Sequence, residues 1–139
     1  MEARIKWVEG KTFVGNTESG HAIVLGAASE GQPKLGPSPM ELLLIGTGGC
    51  SSIDVVMILQ RGREPIEDCE CVVTAERAEE DPKVFTKIHL HFIVKGHGLS
   101  PTKVERAVQL SAEKYCSASI MMSKAAEVTH DFEVIDTAA

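Results

Sequence analysis

Aromatic residues are scarce in this chain of 139 residues, in which phenylalanine, tryptophan and tyrosine together account for 4 %. Hydrophobic residues of all kinds still make up 43 %, so the core must be built mainly from aliphatic side chains. A chain of this length is expected to form one domain, residues 1–139. Because an aliphatic core of this size is modest, burial against a second subunit would add to its stability.

The sequence also lacks a long uninterrupted apolar run and an N-terminal targeting segment. No stretch approaches the roughly 18 consecutive apolar residues that a membrane span needs. The first nine residues alternate between polar and apolar side chains, unlike the continuous apolar stretch of a signal peptide. These absences predict a cytoplasmic protein with no membrane partner.

Positive charge is in deficit, with a net charge of −6 at pH 7 and a pI of about 5.3. Since a negative surface repels phosphate backbones and no cluster of Lys or Arg offsets it, nucleic acid is not expected as a partner. The sequence contains neither a glycine-rich phosphate loop nor the nucleophile elbow of the serine hydrolases. These absences argue against a nucleotide-binding enzyme and a serine hydrolase.

What the chain does contain begins with a predicted three-stranded meander. Alternating side chains and turn-forming residues indicate strands at residues 3–9, 12–14 and 21–25. In the first strand the alternation predicts a half-buried face. A connection rich in glycine and proline follows, over residues 28–39, and such long connections are often functional.

A long helix is predicted from about Ser38 to Arg61. Ser38 can be its N-cap, Pro39 suits the first helical position, and Glu41 can complete a capping box. Between residues 42 and 59 the helix is apolar nearly all round, a composition typical of a helix buried in a core or an interface. Its glycines each cost about 1 kcal/mol relative to alanine, which indicates close approach of backbone, substrate or another helix. They are Gly46, Gly48 and Gly49.

A β-hairpin is predicted next, with strands at residues 69–79 and 84–94 around a turn at 80–83. The register that the turn imposes places Cys71 opposite Phe92, so that the apolar faces of both strands coincide. On the second strand this face is expected to carry Val84, Thr86, Ile88, Leu90, Phe92 and Val94.

A second helix is predicted to begin at Ser100–Pro101, with Thr102 and Glu105 as a possible capping box. Its inner stripe is expected to contain Val104, Ala107, Val108 and Ser111. A break is expected at residues 115–117, after which Ser117 can cap a short third helix to about Ala126. The last predicted strand, residues 128–134, carries His130 and Phe132 on its apolar face.

The four cysteines could be buried hydrophobic residues, metal ligands or redox-active thiols. Cys50 lies in the long helix directly after two glycines, which open space beside its sulfur. Cys116 would lie at the positive end of the third helix, where the dipole and Lys114 would lower the thiol pKa. Local sequence leaves an inert cysteine equally open at both positions, and only a fold can bring the two together.

Zinc is a competing interpretation of the hairpin, because Cys69, Cys71, His89 and His91 occupy alternate positions on paired strands. The predicted register argues against it, since the cysteines share the apolar face and the histidines the opposite one. Core cysteines and solvated histidines are therefore expected. His130, on an apolar face, is interpreted as a core residue.

The segment PSPMELL at residues 37–43, followed by Gly48-Gly49-Cys50 and later by Tyr115-Cys116-Ser117, resembles the OsmC/Ohr family over essentially the whole chain. The resemblance implies an α+β, OsmC-like fold with antiparallel sheets packed on a long buried central helix, in an intertwined homodimer. It implies that Cys50 is a peroxidatic thiol and Cys116 a resolving one.

The activity that the resemblance implies is thiol-dependent reduction of organic hydroperoxides in the oxidative stress response. The partners would be a hydroperoxide substrate and a small dithiol reductant of the lipoyl type, with no metal and no bound cofactor. An OsmC-fold dimer that binds a small molecule or senses redox state is the alternative. A cysteine hydrolase or transferase is a third, for which no histidine base can be placed.

The chain departs from the family pattern around the cysteine pair. The family's N-terminal arginine is replaced by Lys11, which supplies charge but no bidentate fork. The position of the family's glutamate holds Met40, and Glu41 is one residue further on. Asp54 follows Cys50 by one helical turn, and a nearby carboxylate disfavours a thiolate. Lys11 and Glu41 are therefore the expected charged members of the site.

Overall fold

The computed structural model describes residues 1–138, which form two compact units that divide between Leu43 and Leu44. Each unit is built on its own three-stranded sheet, and together with the helices these sheets make an α+β fold. The single domain expected from the chain length remains a prediction.

The first unit is the antiparallel meander that the sequence predicts. Its strands are β1 (Ala3–Glu9), β2 (Thr12–Thr17) and β3 (Ala22–Gly26), in the order β1-β2-β3. The prediction of a half-buried first strand is wrong for the single chain, in which every residue of β1 is exposed. Both Ile5 and Trp7, the larger apolar side chains of the predicted inner face, are more than half exposed.

Helix α1 spans Pro39–Arg61, as predicted. Its capping box is also confirmed: the Ser38 N–H donates to Glu41 Oε1 at 3.0 Å, and the Glu41 N–H donates to Ser38 Oγ at 3.1 Å. Two otherwise unpaired backbone donors are thereby satisfied at the point where the proline-rich connection ends.

The second unit contains β4 (Ile66–Arg77), β5 (Phe85–Gly96) and β6 (Glu127–Asp136), in the order β4-β5-β6. Strands β4 and β5 are antiparallel, whereas β6 runs parallel to β5. The expectation of purely antiparallel sheets is therefore wrong for this unit. The physical reason is that helices connect β5 to β6. They carry the chain back to the end of the sheet at which β5 began, so that both strands run in the same direction.

The predicted hairpin register is confirmed, because Cys71 lies opposite Phe92. A register irregularity between Glu76 and Arg77 shifts the alternation near the turn. As a result Phe85 is buried, whereas Val84 and Thr86 are exposed and not on the buried face as predicted. The rest of that face is buried as expected, at Ile88, Leu90, Phe92 and Val94.

The second predicted helix is α2 (Pro101–Leu110), whose N-cap is Ser100. The Lys103 N–H donates to Ser100 Oγ at 3.4 Å, so the capping box predicted from Thr102 is wrong. A carboxylate supports the same helix end, since the Ser100 N–H donates to Glu64 Oε2 at 3.0 Å. The predicted inner stripe is confirmed, with Val104, Ala107, Val108 and Ser111 all buried.

A π-helical turn, Ser111–Tyr115, follows α2 directly and produces the predicted break. Cys116 then adopts an extended backbone and caps helix α3 (Ser117–Met122). The prediction that Ser117 is the cap is wrong by one residue, because a sulfur atom takes the place of a hydroxyl. Helix α3 also ends at Met122, short of the predicted residue 126.

Helix α1 buries one face and leaves the other exposed in the single chain. The buried face consists of Thr47, Gly48, Ser51, Val55 and Leu59, and the exposed one includes Leu43, Ile45, Ile53 and Met57. By length and composition α1 is long and apolar enough to cross a membrane, but the core helix of a soluble protein passes the same test, so this is weak evidence for a membrane span.

The buried face of α1 lies close to the second sheet at Gly48. A Cβ atom added there would lie 2.6 Å from Val73 Cγ2 and 3.8 Å from Cys71 Sγ. No side chain fits this space, so the glycine allows helix and strand to approach. The predicted use of the glycines is confirmed at this position.

We expect Gly48→Ala to destabilise the protein by about 1–3 kcal/mol, because valine is stiff at χ1 and cannot move aside freely. Val73→Ala should remove the clash, so the double variant should be more stable than the sum of the two single changes predicts. Urea unfolding of the four proteins measures this coupling. If the changes in the free energy of unfolding are additive, the Gly48–Val73 contact does not limit how closely α1 approaches the sheet.

Candidate functional site

The structure brings Cys50 and Cys116 together. Cys50 lies on α1 and is half-buried, while Cys116 lies at the start of α3 and is fully buried. The two thiols interact, and this contact lowers the pKa of Cys50 and raises that of Cys116. Both are free thiols, so the contact unites two positions that are 66 residues apart in the numbering.

The first turn of α3 surrounds both sulfur atoms with donors. The Ala118 N–H donates to the Cys50 sulfur, and the Ser117 hydroxyl lies 3.8 Å from it. The Ser119 N–H donates to Cys116 Sγ at 3.3 Å. The N–H groups in the first turn of α3, which have no partner within the helix, therefore donate to the sulfur atoms.

These contacts shift the pKa of Cys50 downward. Partial burial is the largest single influence and raises the pKa, but the hydrogen bonds from Ala118, Cys116 and Ser117 together outweigh it. The carboxylate of Asp54 acts in the opposite direction and raises the pKa, as the sequence predicts. Cys50 is thus the member of the pair that is more readily ionised.

Cys116 behaves in the opposite way, because burial raises the pKa of its thiol. Hydrogen bonds from Ser119 lower the pKa, whereas the neighbouring Cys50 raises it further. The prediction that the helix dipole and Lys114 would lower this pKa is therefore wrong. The Lys114 ammonium instead lies over the Tyr115 ring, 5.4 Å from its centroid.

A small polar network lies beside the pair. The hydroxyls of Ser51 and Ser111 are 2.8 Å apart and both residues are buried. Ser111 Oγ also lies within hydrogen-bond distance, 3.2 Å, of both the Ser51 carbonyl and Asp54 Oδ2. The π-helical turn thus holds the carboxylate one helical turn from Cys50.

The two charged residues expected at the site lie in the first unit. Lys11 is exposed and lines a groove of about 400 Å³ between the β1–β2 turn and the proline-rich connection. Glu41 pairs with Lys34 and accepts from Ser38, and these contacts lower the pKa of its carboxyl to about 2. A role for either residue at the cysteines remains a prediction.

The remaining cysteines lie on the inner face of the hairpin and are half-buried. Burial raises the pKa of Cys71 to about 11 and also raises that of Cys69. Such thiols are poor nucleophiles at neutral pH. The predicted separation of cysteines and histidines onto opposite faces is confirmed, because Val72 and Thr74, not the cysteines, lie opposite His91 and His89.

Several residues of the site have no recognisable signal in the sequence. Ser117, Ser111, Ser51 and Lys34 are ordinary polar residues of a helix, a turn or a loop. The contacts of Ser117 with Cys50 and of Ser111 with Asp54 join segments that are far apart in the chain, whereas Lys34 lies only seven residues before Glu41. The one available signal is the polar pair Ser51–Ser52 inside a mostly apolar helix.

Comparison with known proteins identifies the family. The sequence model described as OsmC-like protein matches residues 30–131. The chain belongs to the OsmC-like family. It is 54 % identical over 135 residues to Protein YhfA of Escherichia coli (strain K12), covering 97 % of this chain and 98 % of that protein.

Solved structures from other organisms share this fold. A hypothetical protein from Aquifex aeolicus VF5 is 28 % identical, with a TM-score of 0.82 and 97 % of each chain covered. An organic hydroperoxide resistance protein OsmC from Legionella pneumophila gives a TM-score of 0.69 at 18 % identity, with 96 % of each chain covered. At that identity the likeness establishes the fold alone.

The opposing influences on Cys50 in this OsmC-like protein can be separated by mutation. Asp54→Asn should lower the pKa of Cys50 and Ser117→Ala should raise it, because the first removes a negative charge and the second a hydrogen bond. The measurement is the pH dependence of iodoacetamide alkylation at Cys50, followed by mass spectrometry. Identical midpoints in the wild type and both variants would contradict the assignment of these contacts.

Proposed function

We propose that this protein reduces organic hydroperoxides, with Cys50 as the peroxidatic thiol and Cys116 as the resolving thiol. The observation that carries the proposal is the contact between two thiols whose pKa values shift in opposite directions. A peroxidatic cysteine needs thiolate character. A resolving cysteine needs proximity and is kept as a thiol until the sulfenic acid forms.

The first half-reaction uses the Cys50 thiolate as nucleophile. Its sulfur attacks the terminal oxygen of the hydroperoxide, the O–O bond breaks, and the alkoxide leaves and takes up a proton to become an alcohol. Cys50 is oxidised to a sulfenic acid in this step. The donors from Ala118 and Ser117 stabilise negative charge on sulfur before the attack.

The second half-reaction joins the two cysteines. The Cys116 sulfur attacks the Cys50 sulfenic acid, an S–S bond forms, and hydroxide leaves and combines with the Cys116 proton as water. A small dithiol of the lipoyl type then supplies two electrons by thiol–disulfide exchange and becomes a cyclic disulfide. Both protein thiols are regenerated, and the cycle requires no metal and no bound cofactor.

Lys11 and Glu41 are proposed as the charged groups that complete the site, by resemblance to the family pattern. Lys11 would provide the positive charge that favours a thiolate, in place of the family's arginine. Glu41 would orient cationic groups, as it already binds Lys34. A cytoplasmic location, where thiols remain reduced between cycles, belongs to the same proposal.

A cavity of about 360 Å³ is a candidate position for the organic part of the substrate. It is lined by Asp54, Met57, Ile58, Arg61, Leu110 and Tyr115. Asp54 follows Cys50 by one helical turn and Tyr115 directly precedes Cys116 in the chain. An apolar cavity of this size accepts a small organic group. The same cavity favours the second candidate function, binding of a small apolar molecule without peroxidase activity.

A homodimer is part of the proposal. Several large apolar side chains of α1, β1 and β3 are exposed in the single chain, and a monomer rarely leaves so many uncovered. They are Leu43, Ile45, Ile53 and Met57 on α1, Ile5, Trp7 and Val8 on β1, and Ile23 and Val24 on β3. A second copy with the same surfaces would bury them, as the family resemblance implies.

Catalysis is tested with purified protein, cumene hydroperoxide and dihydrolipoamide. We expect turnover by the wild type, loss of at least a thousandfold in Cys50→Ser, and a single turnover followed by arrest in Cys116→Ser. Consumption of peroxide and the sulfenic acid on Cys50 are measured directly. Cys69→Ser serves as the matched control and should remain active, because the pKa of that thiol is raised.

Two outcomes would contradict the proposed peroxidase activity of Cys50. If the wild type and Cys50→Ser are equally inactive with intact thiols, the small-molecule binder is favoured. If activity survives in Cys50→Ser but is lost in Cys69→Ser, the wrong thiol has been assigned.

The dimer is tested by light scattering after size-exclusion chromatography. The chain has a mass of 15.0 kDa, and we expect the wild type at twice this mass. Ile53→Glu should shift it towards the monomer, since a charge buried in an apolar interface is costly. Val84→Glu, at an exposed apolar residue of the hairpin, is the control and should remain dimeric. A monomeric wild type would contradict the proposal.

A further inference from the structure

The outer face of the second sheet carries a cluster of side chains that the cysteine chemistry does not use. His89 and His91 occupy alternate positions on β5, and Asp131 lies on the neighbouring strand β6. Asp131 Oδ1 is 2.9 Å from His89 Nε2 and 2.7 Å from His91 Nδ1. One nitrogen of each imidazole therefore contacts the same carboxylate oxygen.

The far nitrogen of each ring is also engaged. His89 Nδ1 lies 2.7 Å from the Thr129 hydroxyl, and His91 Nε2 lies 3.5 Å from Glu133 Oε2. Metal-binding histidines nearly always hold their second nitrogen in this way, because the contact orients the ring and increases its basicity as a ligand. The cluster thus has both the inner ligands of a metal site and the outer contacts that support them.

We infer that His89, His91 and Asp131 bind a divalent transition cation of the Zn²⁺ type, with water in the remaining coordination positions. Imidazole and carboxylate are suited to this class of ion. Bonds of about 2.0–2.2 Å in tetrahedral geometry separate ligand atoms by about 3.3 Å. The three ligand atoms already lie within 4.8 Å of one another, so small side-chain movements can admit the ion in place of their hydrogen bonds.

The strands give the cluster a rigid base. Strand β5 is the central strand of the sheet and pairs with β4 on one side and β6 on the other. The pairing of His91 with Asp131 is part of a continuous parallel register from Lys87 to Gly96. Ligands fixed on paired strands are already arranged before an ion arrives, which lowers the entropic cost of binding.

The local charges favour a cation. Asp131 brings a carboxylate oxygen within 2.9 Å of both imidazoles. Glu133 adds a second negative charge beside it. The lysines on this face, Lys87 and Lys95, each lie within 4.0 Å of a carboxylate on β4. All three ligands are partly accessible, so a hydrated ion can enter without rearrangement of the backbone.

The site is tested with Co²⁺ and Zn²⁺ in the Cys50→Ser/Cys116→Ser background, which removes the reactive thiols as competing ligands. We expect one Co²⁺ per chain, with visible d–d bands and no thiolate charge-transfer band, and displacement of Co²⁺ by Zn²⁺. His89→Ala and His91→Ala should weaken binding at least a hundredfold. Thr129→Val should weaken it by about tenfold, because it removes only the contact that orients His89.

His21→Ala is the matched control, because His21 is also exposed and bonds a serine hydroxyl, at 3.1 Å from Ser19. This variant should bind Co²⁺ as the parent does. Circular dichroism of each variant verifies that the sheet is intact. Absence of saturable Co²⁺ or Zn²⁺ binding, binding that survives both histidine variants, or a thiolate charge-transfer band would overturn the inference.

Discussion

The close packing of helix α1 on the second sheet is the constraint from which the site follows. At Gly48 the helix approaches Val73 so closely that even a methyl group would clash. Two residues further along the same helix, Cys50 lies 3.8 Å from the Ser117 hydroxyl at the start of α3.

The opposite pKa shifts of Cys50 and Cys116 arise from burial and from hydrogen bonding. Both sulfurs receive an N–H group from the first turn of α3, but Cys116 is fully buried and Cys50 is not. Desolvation therefore dominates at Cys116 and hydrogen bonding dominates at Cys50. Asp54, held by Ser111, opposes ionisation of Cys50, so the site balances thiolate formation against a fixed negative charge.

The two faces of the β4-β5-β6 sheet carry different functional side chains, because side chains alternate along each strand. The inner face of the β4–β5 hairpin carries Cys69 and Cys71, whose high pKa values make them inert components of the core. The outer face carries the histidines and carboxylates of the proposed cation site. Because successive residues of a strand point to opposite faces, neither set can reach the other.

Much of the fold could be predicted from local patterns, since caps, turns and alternation involve residues close in sequence. The sequence by itself determined the Ser38 capping box, the pairing of Cys71 with Phe92 and the inner stripe of α2. The family motifs also singled out Cys50 and Cys116 as a pair. Only the tertiary structure decided that β6 is parallel to β5, because strand direction depends on where the crossover leaves the chain.

The tertiary structure likewise decided which sulfur is acidic and which side chains surround it. Burial at Cys116 outweighed the local influence of the helix start, and burial depends on every segment packed above it. The contact of Asp131 with His89 and His91 spans about 40 residues, so neither histidine could be distinguished from an ordinary surface residue in the sequence. Local patterns specify elements, whereas the environment of a titratable group is set by distant segments that pack around it.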